Sequence, residues 1–276
     1  MKPDPRFSGK VFFITGASSG IGWATAVELA ASGARLALCA RRKGLLDSLA
    51  RQLGDRCETL VLPFDVANLA MGKRAVDRVV KKWGRIDYLI NNAGIIRNAH
   101  FHDQGAAETE YLTRVNYLGP AALIQATLPH MLRAGRGHVV NVSSIGGVLG
   151  FPFVSSYCAS KFALVGLTEA LRKEYYGTGI TFSAFCPGNV DTPMIAESMK
   201  NPRFRKVARP MTAQKAARLI LRCCRWRTPE LIRGEVPPIL AKLSKFFPGW
   251  VDFAFHQIYR RVHPIARKSV KERSKP

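Results

Sequence analysis

The chain has 276 residues, with 42 Lys and Arg against 19 Asp and Glu for a formal net charge of +23, and 47% of its residues are apolar. That length suits one large domain with a full core, and the composition excludes a disordered or low-complexity chain. Six cysteines at 39, 57, 158, 186, 223 and 224 form no C-x-x-C and have no histidine at metal spacing. No zinc site, no other metal site and no disulfide framework is therefore expected, and a reducing compartment is. Met1 to Ser8 are polar, with two prolines and no apolar signal region, so a cytoplasmic location is expected.

Apolar strands are predicted at about 10 to 14, 35 to 40, 58 to 62, 86 to 90, 138 to 143 and 180 to 185, alternating with helical stretches. This order predicts an α/β fold, a doubly wound parallel sheet of the Rossmann kind with helices on both faces. The first strand runs into Thr15-Gly16-Ala17-Ser18-Ser19-Gly20-Ile21-Gly22, and the helical pattern Trp23, Val27, Leu29, Ala30 follows. Strand, glycine turn and helix together make a phosphate seat, because bare N–H groups at a helix N-terminus attract anions. The spacing is G-x-x-x-G-x-G rather than G-x-G-x-x-G, so the likeness to a dinucleotide fingerprint is one of mechanism. The second strand ends at Ala40, Arg41, Arg42 and Lys43, where an acid would hold the ribose 2′-hydroxyl of NAD. Cations there suit a 2′-phosphate and predict NADP(H); the alternative is that they merely begin a solvated helix.

Further along, the strand from Gly137 to Ser143 delivers Ser144 at its end. Phe162, Val165, Leu167, Leu171 and Tyr175 predict a helix from Ser156 to about Tyr176, which places Tyr157 and Lys161 on one face. A free phenol has a pKa near ~10, and a cation within roughly 4 to 6 Å lowers it, so Tyr157 is expected to become a usable acid or base. Ser144 can hold a substrate oxygen while Tyr157 moves its proton. Cys158 points elsewhere on the helix and reads as a small packed residue rather than a nucleophile.

With these motifs in this order, the chain resembles the short-chain dehydrogenase/reductase family from about Gly9 to Ile195, and within it the NADP-dependent ketone reductases with a basic, aromatic C-terminal extension. The resemblance rests on the glycine motif, Asp65-Val66, Asn91-Asn92-Ala93-Gly94, Asn116, Ser144, Tyr157 with Lys161, and Pro187-Gly188 with Thr192. It implies a catalytic set of Asn116, Ser144, Tyr157 and Lys161, in which Asn116 anchors a proton relay and Lys161 also binds the nicotinamide ribose. It also implies a cofactor site of Gly16, Ser18, Ser19, Gly20, Ile21, Gly22, Arg41, Arg42, Asp65, Val66, Asn92, Ala93, Gly94, Tyr157, Lys161, Pro187, Gly188, Val190 and Thr192. Asp65 is then expected at the adenine amino group, and Pro187, Gly188 and Thr192 at the nicotinamide. A further strand is expected near Ile232 to Val236, and a homo-oligomer, dimer or tetramer, pairing through the helices that carry Asn116 and Tyr157.

The expected organisation is a Rossmann-type domain over 1–236, with a substrate lid at about 190–215, and a basic helical extension over 237–276. From Lys200 onward there are twenty Lys and Arg against four acids, +16 of the total +23. The extension interleaves these cations with Ile239, Leu240, Leu243, Phe246, Phe247, Trp250, Val251, Phe253, Phe255, Ile258, Tyr259 and Val262. Cations among bulky rings predict peripheral contact with the cytoplasmic membrane face, since no stretch reaches the ~20 apolar residues of a spanning helix. The alternative is that the rings close the substrate pocket or a subunit interface; nucleic acid is not expected, because no RNA-binding motif accompanies the charge. Met194, Met199, Pro202, Phe204 and Met211 in the lid, with Phe151-Pro152-Phe153-Val154 before Tyr157, predict an apolar pocket. The expected activity is NADPH-dependent reduction of a hydrophobic, lipid or steroid-like ketone to a secondary alcohol. Alternatives are the same chemistry as alcohol oxidation or on small ketones, and a non-catalytic nucleotide-binding regulator.

Overall fold

Successive strand residues face opposite sides of a sheet, and the first strand supplies apolar groups to both. In the computed structural model, which describes residues 3–244 and 246–262, Val11 and Phe13 pack on one face and Phe12 and Ile14 on the other. The strands are β1 (Val11–Thr15), β2 (Arg35–Ala40), β3 (Thr59–Pro63), β4 (Tyr88–Asn91), β5 (Gly137–Val142), β6 (Ile180–Pro187), β7 (Val190–Asp191), β8 (Met211–Thr212) and β9 (Glu230–Arg233). Seven of them form one parallel sheet in the order β3-β2-β1-β4-β5-β6-β9, and β7 and β8 pair separately. The late strand is therefore present, two residues earlier than expected.

The helices are α1 (Gly20–Ala30), α2 (Lys43–Leu53), α3 (Leu69–Trp83), α4 (Ala106–Thr113), α5 (Gly119–Arg133), α6 (Ser155–Glu174), α7 (Ala196–Met199), α8 (Pro202–Ala208), α9 (Ala213–Trp226), α10 (Pro238–Leu243) and α11 (Pro248–Val262). Leu29 of α1, Leu46 and Leu49 of α2 and Ile220 of α9 cover one face of the sheet. Val76 and Val79 of α3 with Leu123, Ile124 and Met131 of α5 cover the other, where α6 adds Leu167 and Leu171. The chain is thus an α/β doubly wound parallel sheet in a single domain, as the alternation of elements predicts.

Two features of this sheet place the site. The strand order reverses between β1 and β4, which opens a crevice at the carboxyl ends of the strands. A buried polar ladder then fixes α6 over that crevice: Asn91 Nδ2 donates to Asn141 Oδ1 at 2.9 Å, and Asn141 Nδ2 donates to Thr168 Oγ1 at 2.8 Å. Among the described residues no helix is long and apolar enough to cross a membrane. The segment 263–276 lies outside the described residues, as do the side chains of Phe204, Leu240, Leu243, Phe255, Ile258, Tyr259 and Val262.

Candidate active site

A cavity of about 410 Å³ occupies the crevice and gathers residues from eight separate stretches of chain. The turn after β1 forms one end. Gly16 is left-handed, with φ 68°, and a β-carbon on Gly22 would overlap the carbonyl oxygen of Gly16 and come within 2.6 Å of Asn92 Nδ2. The turn is stapled to the end of β4, because Thr15 Oγ1 accepts from the N–H groups of Asn92 at 2.9 Å and Ala93 at 3.0 Å. Asn92 Nδ2 in return donates to the Thr15 carbonyl at 2.9 Å. Ser19, before α1, makes no side-chain cap, so its hydroxyl does not occupy the first-turn amides.

At the end of β2, Arg42 donates to Ser18 Oγ at 2.9 Å and Ser19 Oγ at 2.8 Å, which draws its guanidinium onto the glycine turn. Arg41 donates to the Tyr111 hydroxyl at 2.9 Å and lies 3.9 Å from the Asp65 carboxylate. Both arginines line the cavity with Ser18, Ser19, Gly20, Ile21, Asp65, Val66, Asn92, Ala93 and Gly94. Gly22 and Asn116 do not line it: Gly22 packs behind the turn, and Asn116 is fully buried. Asn116 sits on a π-helical turn, Arg114–Leu118, that joins α4 to α5, a distortion frequent at functional sites. Its Nδ2 donates to the Ile95 carbonyl at 2.9 Å and to Ser160 Oγ at 3.0 Å, and its Oδ1 accepts from Ile95 N–H.

Ser144, Tyr157 and Lys161 meet at the middle of the crevice. Ser144 Oγ accepts from the Gly146 N–H at 3.0 Å, which turns the chain sharply after β5. Tyr157 and Lys161 lie one turn apart on α6, with Lys161 Nζ 5.8 Å from the phenol ring centre and donating to the Val142 carbonyl at 3.0 Å. Burial governs the acidity of both groups. It pushes the Tyr157 phenol up to about 12, with a Ser144 hydrogen bond acting in the opposite direction, and the Lys161 ammonium down to about 8. The expected lowering of Tyr157 by its cation does not govern the phenol: burial raises it, and burial also lowers the Lys161 ammonium. Cys158 is buried and its thiol is raised by burial, which fits packing rather than nucleophilic attack.

Pro187, Gly188, Val190 and Thr192 line the far side of the cavity, at the end of β6 and beyond it. Asn189 stands among them and is gripped by Glu235: its N–H reaches Glu235 Oε1 at 3.1 Å and its Nδ2 reaches the same oxygen at 3.0 Å. Gly188 also donates to the Arg233 carbonyl at 2.7 Å. Nothing local in the sequence marks this clamp, which joins residues 46 positions apart. Apolar lining comes from Ile96, Phe151, Pro152, Val154, Met194 and Ile195. Phe153 departs from the expected wall. It takes a left-handed φ of 67° and its ring meets His100 edge-on at 4.9 Å, outside the cavity. Met199 is likewise not among the lining residues.

A crevice with a glycine turn at one end, cations beside it and two hydroxyls over a buried lysine has the donor set of a nicotinamide dinucleotide oxidoreductase. Residues 10–203 match the family model for short chain dehydrogenases, and the chain belongs to the short-chain dehydrogenase/reductase family. It is 32% identical over 262 residues to human dehydrogenase/reductase SDR family member 7, covering 90% of this chain and 77% of that one. It is 36% identical over 246 residues to levodione reductase of Leifsonia aquatica, 88% of each chain. To the 3-oxoacyl-(acyl-carrier-protein) reductase of Thermotoga maritima it is 37% identical over 207 residues, covering 74% of this chain and 83% of that one. A crystal structure of levodione reductase superposes with a TM-score of 0.75 at 31% identity, covering 83% of this chain and 96% of that chain.

Proposed function

We propose that the chain is an NADPH-dependent ketone reductase for a hydrophobic substrate, with Asn116, Ser144, Tyr157 and Lys161 as its catalytic set. The observation that carries this reading is the convergence of the Ser144 and Tyr157 hydroxyls above buried Lys161, between a phosphate-seating turn and an apolar wall. NADPH, held by Ser18, Ser19, Gly20, Arg41 and Arg42 at one end and by Pro187, Gly188 and Thr192 at the other, would supply the hydride that the carbonyl carbon of the ketone takes up. Ser144 Oγ holds the carbonyl oxygen, and Tyr157 Oη gives it the proton that completes the secondary alcohol. A phenol raised to about 12 by burial is protonated at neutral pH, the form that reduction consumes. Lys161, lowered to about 8 by burial, lies one turn along α6 with Nζ 5.8 Å from the phenol ring centre, where it would hold the nicotinamide ribose and help restore the phenol's proton from solvent. Asn116 acts by position: its side chain is fully engaged with Ile95 and Ser160, and it holds the floor on which Lys161 and Gly94 meet.

Arg41 and Arg42 at the end of β2 support NADP over NAD, because two guanidinium groups at the cavity, Arg42 beside Ser18 and Ser19 and Arg41 beside Tyr111, suit a 2′-phosphate. Pro187, Gly188, Val190 and Thr192 then face the nicotinamide, and the family resemblance supports a homo-oligomer through α5 and α6. The extension divides its two expected roles. Ala241 of α10 is buried with Ile145, Val148 and Cys186, against the pocket wall. Ile239, Phe246, Phe247, Trp250 and Phe253 stand exposed, Trp250 at 80%, in the strongly basic third of the chain, which supports peripheral contact with an anionic membrane face.

The test is NADPH oxidation across short polar, acyl-chain, sphingoid and steroid ketones, with and without anionic liposomes. Turnover on the long apolar ketones, raised by liposomes and reduced about a thousandfold in Tyr157→Phe with NADPH binding intact, is the expected result. Preference for small polar ketones would sink the hydrophobic reading, indifference to liposomes the membrane reading, and full activity in Tyr157→Phe the mechanism.

A further inference from the structure

Tyr111 has no place in the catalytic set, yet its hydroxyl ties two cavity residues together. It donates to Asp65 Oδ2 at 2.7 Å and accepts from Arg41 Nη1 at 2.9 Å, joining the ends of β3 and β2 through a side chain of α4. Asp65 is a firm anchor for this bridge, because its other oxygen accepts from the Ala67 N–H at 3.0 Å. The helix is fixed as well. Leu112, the next residue, is buried against Tyr157 and Cys158, and Thr109 Oγ1 lies 3.3 Å from Ser156 Oγ. Arg41 by contrast has a side chain 60% exposed, and a long exposed arginine loses rotamer freedom when it grips an anion.

We infer that Tyr111 is a positioning residue for cofactor selection, holding Arg41 ready for the 2′-phosphate. The inference rests on the NADP reading above and names how this chain achieves it. The phenol is suited to the task because one hydroxyl both donates to the anchored carboxylate and accepts from the arginine. Arg41 is thereby set at the cavity rim before any anion arrives, and the ordering cost falls on folding rather than on binding. Arg42 is held independently by Ser18 and Ser19, so the two cations are positioned by separate partners.

The experiment is calorimetric titration of wild type, Tyr111→Phe, Arg41→Ala and the double variant with adenosine 2′,5′-bisphosphate and with 5′-AMP. Wild type is expected to prefer the bisphosphate, and Tyr111→Phe to lose about tenfold of that preference while its AMP affinity changes less than about twofold. In the Arg41→Ala background the Tyr111 change is expected to have no further effect on the preference. An unchanged preference in Tyr111→Phe, beside a reduced one in Arg41→Ala, would overturn the inference and leave the NADP reading standing. Equal weakening of both probes would also overturn it, since Tyr111 would then act on the adenosine end as a whole. A wild type without preference for the bisphosphate would overturn the NADP reading itself, and the inference with it.

Discussion

Replacing Lys161 by Met tests how the site treats its buried cation. Burial lowers Lys161 from the ordinary 10.5 to about 8, so between these values the folded chain holds a neutral amine while the unfolded chain still binds a proton. Stability must therefore rise with pH across that window, by up to about 1.4 kcal/mol per unit, and the contribution is lost as pH falls through the folded value. Integrated from about pH 7 to about pH 10, the gain is about 2.5 kcal/mol. Met carries no proton, so wild type should gain that amount relative to Lys161→Met over the same interval, equivalent to about 5 to 10 °C in melting temperature. Urea unfolding followed by tryptophan fluorescence at the two pH values measures it, and comparison of the two proteins cancels every other titrating group. Parallel pH dependence of wild type and variant would refute the argument, showing that Lys161 keeps its ordinary affinity for a proton despite being 3% exposed.

The remaining expectations concern the frame around the chemistry. Gly22→Ala places a methyl against the Gly16 carbonyl and Asn92, so calorimetry should show dinucleotide binding lost and a melt should show about 1 to 3 kcal/mol of destabilisation. Unimpaired binding would mean that the turn is not the phosphate seat. Glu235→Ala frees Asn189 from its carboxylate bonds, and the KM for the dinucleotide should rise about fivefold with kcat nearly unchanged. An unchanged KM would show that the loop beyond β6 needs no clamp. Asn141→Ala breaks the ladder between β4, β5 and α6, and chemical denaturation should show a loss of about 1 to 3 kcal/mol through the buried amide of Asn91 and hydroxyl of Thr168 left without their partner. A loss below about 0.5 kcal/mol would mean that packing alone fixes α6.

Much of the frame was legible because most of its motifs sit where a strand ends or on one face of a helix. The runs at 35–40 and 180–185 announce β2 and β6 by apolar content, and the four-residue spacing of Tyr157 and Lys161 announces a shared helix face. The late strand lies at Glu230–Arg233 rather than near Ile232 to Val236 because pairing with β6 sets its place, Glu230 opposite Ala184 and Arg233 opposite Pro187. Phe153 was placed in the pocket wall by composition, whereas its left-handed backbone turns the ring outward onto His100. No sequence pattern reports such a reversal.

By itself the sequence determined the layered α/β sheet, the order of its motifs and the types of side chain that reach the crevice, because periodicity and turn chemistry act over a few residues. The tertiary structure alone decided that Tyr111 bridges Arg41 and Asp65, that Glu235 grips Asn189, and that Thr15 staples the glycine turn to β4, contacts spanning 46 to 78 residues. It alone also decided the acidities of Tyr157 and Lys161. Those depend on how completely neighbouring elements exclude water, and desolvation is a property of the assembled surroundings rather than of any residue's spacing from another.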